Sequence, residues 1–84
     1  MKKSYFQKTI EKLESEKDEN IQKLSKLSFE KLNEMKSDFY TLHSNAKEAG
    51  YKEAAEVHFL KYMIVCQTIT IKQGNEEQVC DYLT

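Results

Sequence analysis

The chain has no arginine, no proline and no tryptophan, and only two glycines and two cysteines among its 84 residues. Each absence excludes something. Without arginine there is no planar guanidinium fork, the usual reader of guanine edges and a preferred phosphate clamp. Thirteen lysines face fourteen acids for a formal net charge of −1, so no overall field draws in nucleic acid or an anionic membrane. With no proline, and glycine only at positions 50 and 74, helices have few reasons to stop. The apolar runs flanking Lys61 are far shorter than the ~20 residues that span a bilayer. The start, MKKSYFQKTIEK, has basic residues but lacks the apolar core of a signal peptide. The expectation is a cytoplasmic protein without a membrane partner, in which Cys66 and Cys80 are reduced thiols and too few for a disulfide framework.

A chain of this length makes one domain, residues 1–84, and buries only roughly 60 to 65% of the surface exposed by its unfolded form. With 39% hydrophobic and 32% charged residues it is polar for a globular domain, yet richer in apolar residues than a disordered one. An oligomer or a tight partner would supply the missing burial. An all-lysine basic set also accompanies AT-rich coding sequences, as in low-GC bacteria and their phages and plasmids.

What is present is helix-forming. Residues 3–49 are dominated by Lys, Glu, Leu, Gln and Ser, good or neutral helix formers. Phe6, Ile10 and Leu13 fall on one stripe, which fades in the polar run Glu14 to Asn20. There the helix either continues exposed, the preferred reading, or restarts with Asp18 or Asn20 as N-cap. Leu32, Met35, Phe39, Leu42, Ala46 and Ala49 step as a heptad seam, as in a coiled coil, and the phase slips between Ser25 and Ser28. That slip marks a second place to break, with Ser28 as N-cap. Gly50 ends the seam where a left-handed residue is expected.

Beyond it lies the densest apolar segment, a central helix over about 51–72. Ala55, Phe59, Tyr62, Cys66 and Ile69 form one stripe, and Val57, Leu60, Ile64 and Ile71 another, so this helix needs cover on more than one side. Thr68 to Ile71 alternates like a short strand, but a lone hairpin with Val79 to Leu83 would be marginal, and helix is preferred. Residues 73–84 are expected to be a short C-terminal tail or helix, capped by Asn75. The predicted fold is all-α: a helical bundle built on an antiparallel helical hairpin, with a long N-terminal helix broken or unbroken near 15–28. An unbroken first helix would reach ~70 Å against ~33 Å for the second. Either the chain breaks into a three-helix bundle, or two copies cover each other, and the homodimer is preferred.

Phe39, Leu42, Ala55 and Phe59 are spaced like the tryptophan, leucine, alanine and phenylalanine of a tetratricopeptide repeat, with Gly50 near the inter-helix turn. Over about thirty residues the segment resembles one such repeat. It departs from the pattern at His43 and Gln67, and a solenoid needs at least three repeats. The resemblance implies an antiparallel helical hairpin and no more.

No constellation spells a chemistry. His43 and His58, with Cys66, Cys80 or Glu56, lack the close ligand pairs of a metal site and read as amphipathic histidines at a core edge. A nucleophilic cysteine would need a neighbouring base and a substrate pocket. No catalytic residue, metal or cofactor is therefore assigned, and an enzyme is not expected. Glu11, Glu14, Glu16, Asp18 and Glu19 read as a solvated face. The expected function is that of a small non-enzymatic protein-binding protein: a regulator, inhibitor or adaptor, a host-directed inhibitor from a phage or mobile element being one case. Its candidate interface is Phe6, Ile10, Leu13, Val57, Phe59, Leu60, Tyr62 and Ile64. The alternative is a nucleic-acid-binding regulator using Lys2, Lys3, Lys8 and Lys12 with Tyr5 and Phe6 between them.

Overall fold

A computed structural model describes the backbone of residues 5–83 and the side chains of residues 5–74. Four helices follow one another: α1 (Tyr5–Ser15), α2 (Lys17–Leu24), α3 (Phe29–Glu48) and α4 (Lys52–Leu83). The architecture is an all-α helical bundle. No described residue is in a strand. Helix α4 packs against each of the other three, most extensively against α3.

The first interruption is slight. Glu16 alone leaves helical geometry, at φ −102° and ψ 16°. Its N–H still donates to the Lys12 carbonyl, and the Asn20 N–H donates to Glu16 (both 2.9 Å), so hydrogen bonding runs through the junction. Neither Asp18 nor Asn20 caps a new helix, because α2 has already begun at Lys17. We refer to α1 and α2 together as the arm.

The real break is at Ser25 to Ser28. Ser28 takes extended geometry (φ −67°, ψ 158°), and its hydroxyl accepts from the Lys31 N–H at 3.1 Å. Such a cap stabilises a helix by about 1 kcal/mol. Leu27, just before the cap, packs into the core cluster that holds Leu32, four residues into the helix. The two form a hydrophobic staple that sets the angle of entry. From α4, the Lys72 ammonium donates to the Leu27 carbonyl and lies 4.8 Å from the Phe29 ring centroid. The loop is thereby tied to the helix it crosses.

The other end of α3 closes at Gly50, whose φ of +87° puts it in the left-handed region. Its N–H donates to the Lys47 carbonyl at 3.1 Å, and the Tyr51 N–H reaches the Ala46 carbonyl at 2.9 Å. That pair of bonds is the Schellman motif. The chain then reverses, so that Leu32 at the start of α3 meets Val65 and Ile69 of α4, while His43 near its end meets Ala55.

Helix α4 does not stop near residue 72. Gly74 keeps a negative φ, which costs about 1 kcal/mol relative to alanine but breaks nothing, and the helix runs on to Leu83. Asn75 thus lies within a helix and not at the start of one; its side chain is outside the described residues. The β-branched run Thr68 to Ile71 is helical as well. Thr68 and Thr70 turn their hydroxyls back to the carbonyls of Ile64 and Cys66 (2.8 and 3.1 Å), and Thr68 and Ile69 are both buried. Burying adjacent residues suits a helix facing two partners, whereas a strand would send them to opposite faces.

The core is small and lies where arm, loop and hairpin meet. Leu32, Val65 and Ile69 form its centre, with Leu24, Leu27, Phe29, Met35 and Phe39 partly buried around them. The bundle measures 56 × 27 × 15 Å, and its thin axis has room for about two packed helices. Its radius of gyration is 15.3 Å, against about 12 Å for a compact domain of this length. An elongated, thin bundle leaves side chains exposed on its faces. None of the helices in the described residues is long and apolar enough to cross a membrane.

Candidate functional site

Two features stand out, one convex and one concave. The convex one is a row of rings across the two helices of the hairpin, between the core cluster and the turn. Tyr40 and His43 come from α3, one turn apart, and Phe59 and Tyr62 from α4. Ring centroids lie 5.4 Å apart for Tyr40 and Tyr62, 5.0 Å for His43 and Phe59, and 5.9 Å for Phe59 and Tyr62. Interplanar angles of 28 to 55° make this an offset row, not the walls of a cage. Tyr40 is 53% exposed and Phe59 39%. Phe39, one residue before Tyr40 and so about 100° around the helix, packs against the core.

One hydrogen bond ties the row across the hairpin. His43 Nδ1 lies 2.9 Å from the Ala55 carbonyl. A carbonyl only accepts, so Nδ1 carries the proton and donates, leaving Nε2 without one in the neutral ring. The Tyr62 hydroxyl is raised above the usual phenol value, first by the nearby Cys66 side chain one turn on, then by desolvation and Tyr40.

The concave feature is a cleft of about 270 Å³ between the arm and the hairpin. Its walls are Leu13, Leu24, Met35, Phe39, Ile64 and Val65, joined by Asn20, Lys23 and Lys61. Lys61 Nζ lies 5.9 Å from the centroid of the Phe39 ring. A smaller cleft of about 190 Å³ lies on the other side of Leu13, lined by Leu60, Met63, Ile64 and Gln67 together with Glu14 and Lys17.

The residues predicted as an interface are dispersed by the fold. Val57 and Ile64 are buried within the chain itself, Ile64 showing only the edge that lines the two clefts. Phe6, Ile10, Leu13 and Leu60 are half-buried, Leu13 and Leu60 lining one cleft between α1 and α4. Of the predicted set only Phe59 is exposed, stacked on a half-buried Tyr62, and their neighbours Tyr40 and His43 were not in that set. The missed signal was the hairpin register: Tyr40 lies ten residues before Gly50 and Tyr62 twelve after it, so a tight turn brings the two side by side. Val65 and Thr68, both deeply buried, fell outside both predicted stripes, because the arm and α3 together cover a wider sector of α4 than either stripe.

The remaining chemistry-bearing residues do not converge. Among the described residues no group of three or more His, Cys, Asp or Glu is placed to hold a metal ion, and the Cys80 side chain lies outside them. His58 is half-buried, its Nδ1 shielded and without a hydrogen-bond partner. Its pKa is pushed below the ordinary value, first by desolvation and then by the positive charges of Lys61 and His43. Glu11, Glu14, Asp18 and Glu19 are exposed, and Glu16 is half-buried. At the N-terminus Tyr5 meets Phe6 edge-on, with centroids 5.6 Å apart. Lys8 and Lys12 are exposed, and Lys2 and Lys3 lie outside the described residues.

No protein-family model, curated protein or solved structure matches the chain. Of the four residues that carry the likeness to a tetratricopeptide repeat, Ala55 is buried and Phe39 packs on the core, but Leu42 and Phe59 are exposed.

Proposed function

We propose that the protein is a small non-enzymatic binding protein, a regulator, inhibitor or adaptor in the cytoplasm, whose contact surface is the ring row Tyr40, His43, Phe59 and Tyr62. The observation that carries this is the exposure of Tyr40 and Phe59, side by side with Tyr62, on a chain of which 32% is charged. Rings held in place by hairpin packing have little rotamer entropy left to lose, and aromatic residues are enriched at the centres of protein interfaces. The partner is a protein, and a second copy of this chain is the first to test. The dimer no longer rests on a long helix lacking cover, because the break at Ser25 to Ser28 folds the arm back onto α4. It rests on the ring row.

Sedimentation equilibrium on the wild type and Phe59→Ala checks it. A dimer has twice the chain mass of 9.9 kDa, and Phe59→Ala should shift the association toward monomer while costing stability only on the order of 1 kcal/mol, since the ring is partly exposed. A wild-type monomer at every concentration would sink self-association and leave a foreign protein as the target. A loss of several kcal/mol would show Phe59 to be a core residue and remove the proposed surface. Nucleic acid, the alternative partner, is tested by titration at two salt concentrations, where strongly salt-dependent binding would favour it.

A further inference from the structure

The cleft between arm and hairpin has a chemistry that the ring row lacks. Its floor and walls are aliphatic or aromatic, apart from Asn20, Lys23 and Lys61. Both titratable groups that line it are therefore lysines, although acids outnumber lysines in the chain as a whole. The neighbouring cleft, with Glu14 beside Lys17, has no such bias. Lys23 comes from the arm and Lys61 from α4, and Lys61 Nζ lies within cation–π reach of Phe39. An apolar hollow lined by two lysines and no acid complements a molecule with an apolar body and one anionic head. Small-ligand sites combine the same elements, mostly apolar walls with a few polar groups that fix orientation. At about 30 Å³ for a water-sized group, the 270 Å³ holds roughly nine such groups, the size of a medium-length acyl chain and not of a peptide helix.

We propose that this cleft binds a medium-chain carboxylate, its tail against Leu13, Leu24 and Ile64 and its carboxylate between Lys23 and Lys61. The apolar wall accounts for affinity through removal of the tail from water. The lysines account for selection of charge sign, with Asn20 able to donate to a carboxylate oxygen. A ligand seated there touches α1, α2, α3 and α4 at once, so binding would fasten the arm to the hairpin. The inference does not depend on the ring row, and the two can fail separately.

The test is calorimetric titration of the full chain with decanoate below its micelle concentration, beside decanol and decyltrimethylammonium. Saturable one-to-one binding of decanoate is expected, with decanol about tenfold weaker or worse and the cationic amphiphile weaker still. The double variant Lys23→Gln/Lys61→Gln should lose about tenfold for decanoate and leave decanol unchanged, and its helical spectrum shows whether the fold survives. In parallel, proton shifts should move at the Met35 methyl and not at the Tyr40 and Tyr62 rings. Equal binding of decanoate and decanol, undiminished binding by a folded double variant, uptake without saturation, absence of binding, or shifts centred on the ring row would each overturn the proposal.

Discussion

The hairpin and the arm are made of much the same helix-forming residues, yet they are held in different ways. Helix α3 has a serine cap at one end, a Schellman turn at the other and a fully buried leucine between them. Helices α1 and α2 have no buried residue, and α2 has no side-chain cap. The arm stays in place through half-buried leucines, Leu13 and Leu24, laid on a helix whose other side is already covered. Termination signals and full burial make a rigid unit, whereas a stripe of three or four apolar residues makes only an attached one. The arm is where local opening should begin.

That contrast can be broken at its strong end. Leu32→Ala should cost about 2 to 5 kcal/mol in chemical denaturation, the range for emptying a buried leucine site, and should loosen arm and hairpin together because Leu24 and Leu27 pack around it. A cost below ~1 kcal/mol would mean that the cluster is not the common centre. Gly50→Ala isolates the turn. A methyl group there would meet no atom within 4 Å, so the whole cost is that of the +87° φ, about 1 to 2 kcal/mol.

The weak end is probed by Leu13→Ala. Its half-burial limits the loss to about 1 kcal/mol, and hydrogen exchange should accelerate over residues 5–24 while α3 keeps its protection. Uniform acceleration would show arm and hairpin to be one cooperative unit. The smallest effect expected is that of His58. Above its ordinary value of 6.5 the ring is neutral in both folded and unfolded chains, and stability is at its full value. As the pH falls through 6.5 the unfolded chain binds the proton first, so stability declines until the lowered folded pKa is reached, then levels off. Thermal melts at stepped pH should show this shallow fall, and His58→Gln should remove it.

The sequence was most legible where a residue's chemistry acts locally. Gly50 could be placed because a left-handed residue ends a helix whatever lies around it. Ser28 could be proposed as a cap from the phase slip beside it. The choice between breaking at residues 15–20 and at 25–28 was harder, since a polar run favours neither outcome by itself. The Leu27 and Leu32 staple and the Lys72 tether decide it, and Lys72 lies 45 residues from Leu27. The ring row was half legible: Phe59 and Tyr62 share a stripe, but their meeting with Tyr40 and His43 belongs to the register across the turn.

The amino-acid sequence by itself determined that this chain is helical, that it turns at residue 50, and that the helix after the turn needs cover on more than one side. Propensity, the scarcity of glycine and proline, and apolar spacing act over a few residues and need no neighbour. Only the tertiary structure decided which side of that helix is core and which is surface. The arm and α3 each claim a sector of α4, and their sum buries Val65 and Thr68 while leaving Phe59 outside. A helix shows its own periodicity in its sequence, but not the directions from which its neighbours arrive.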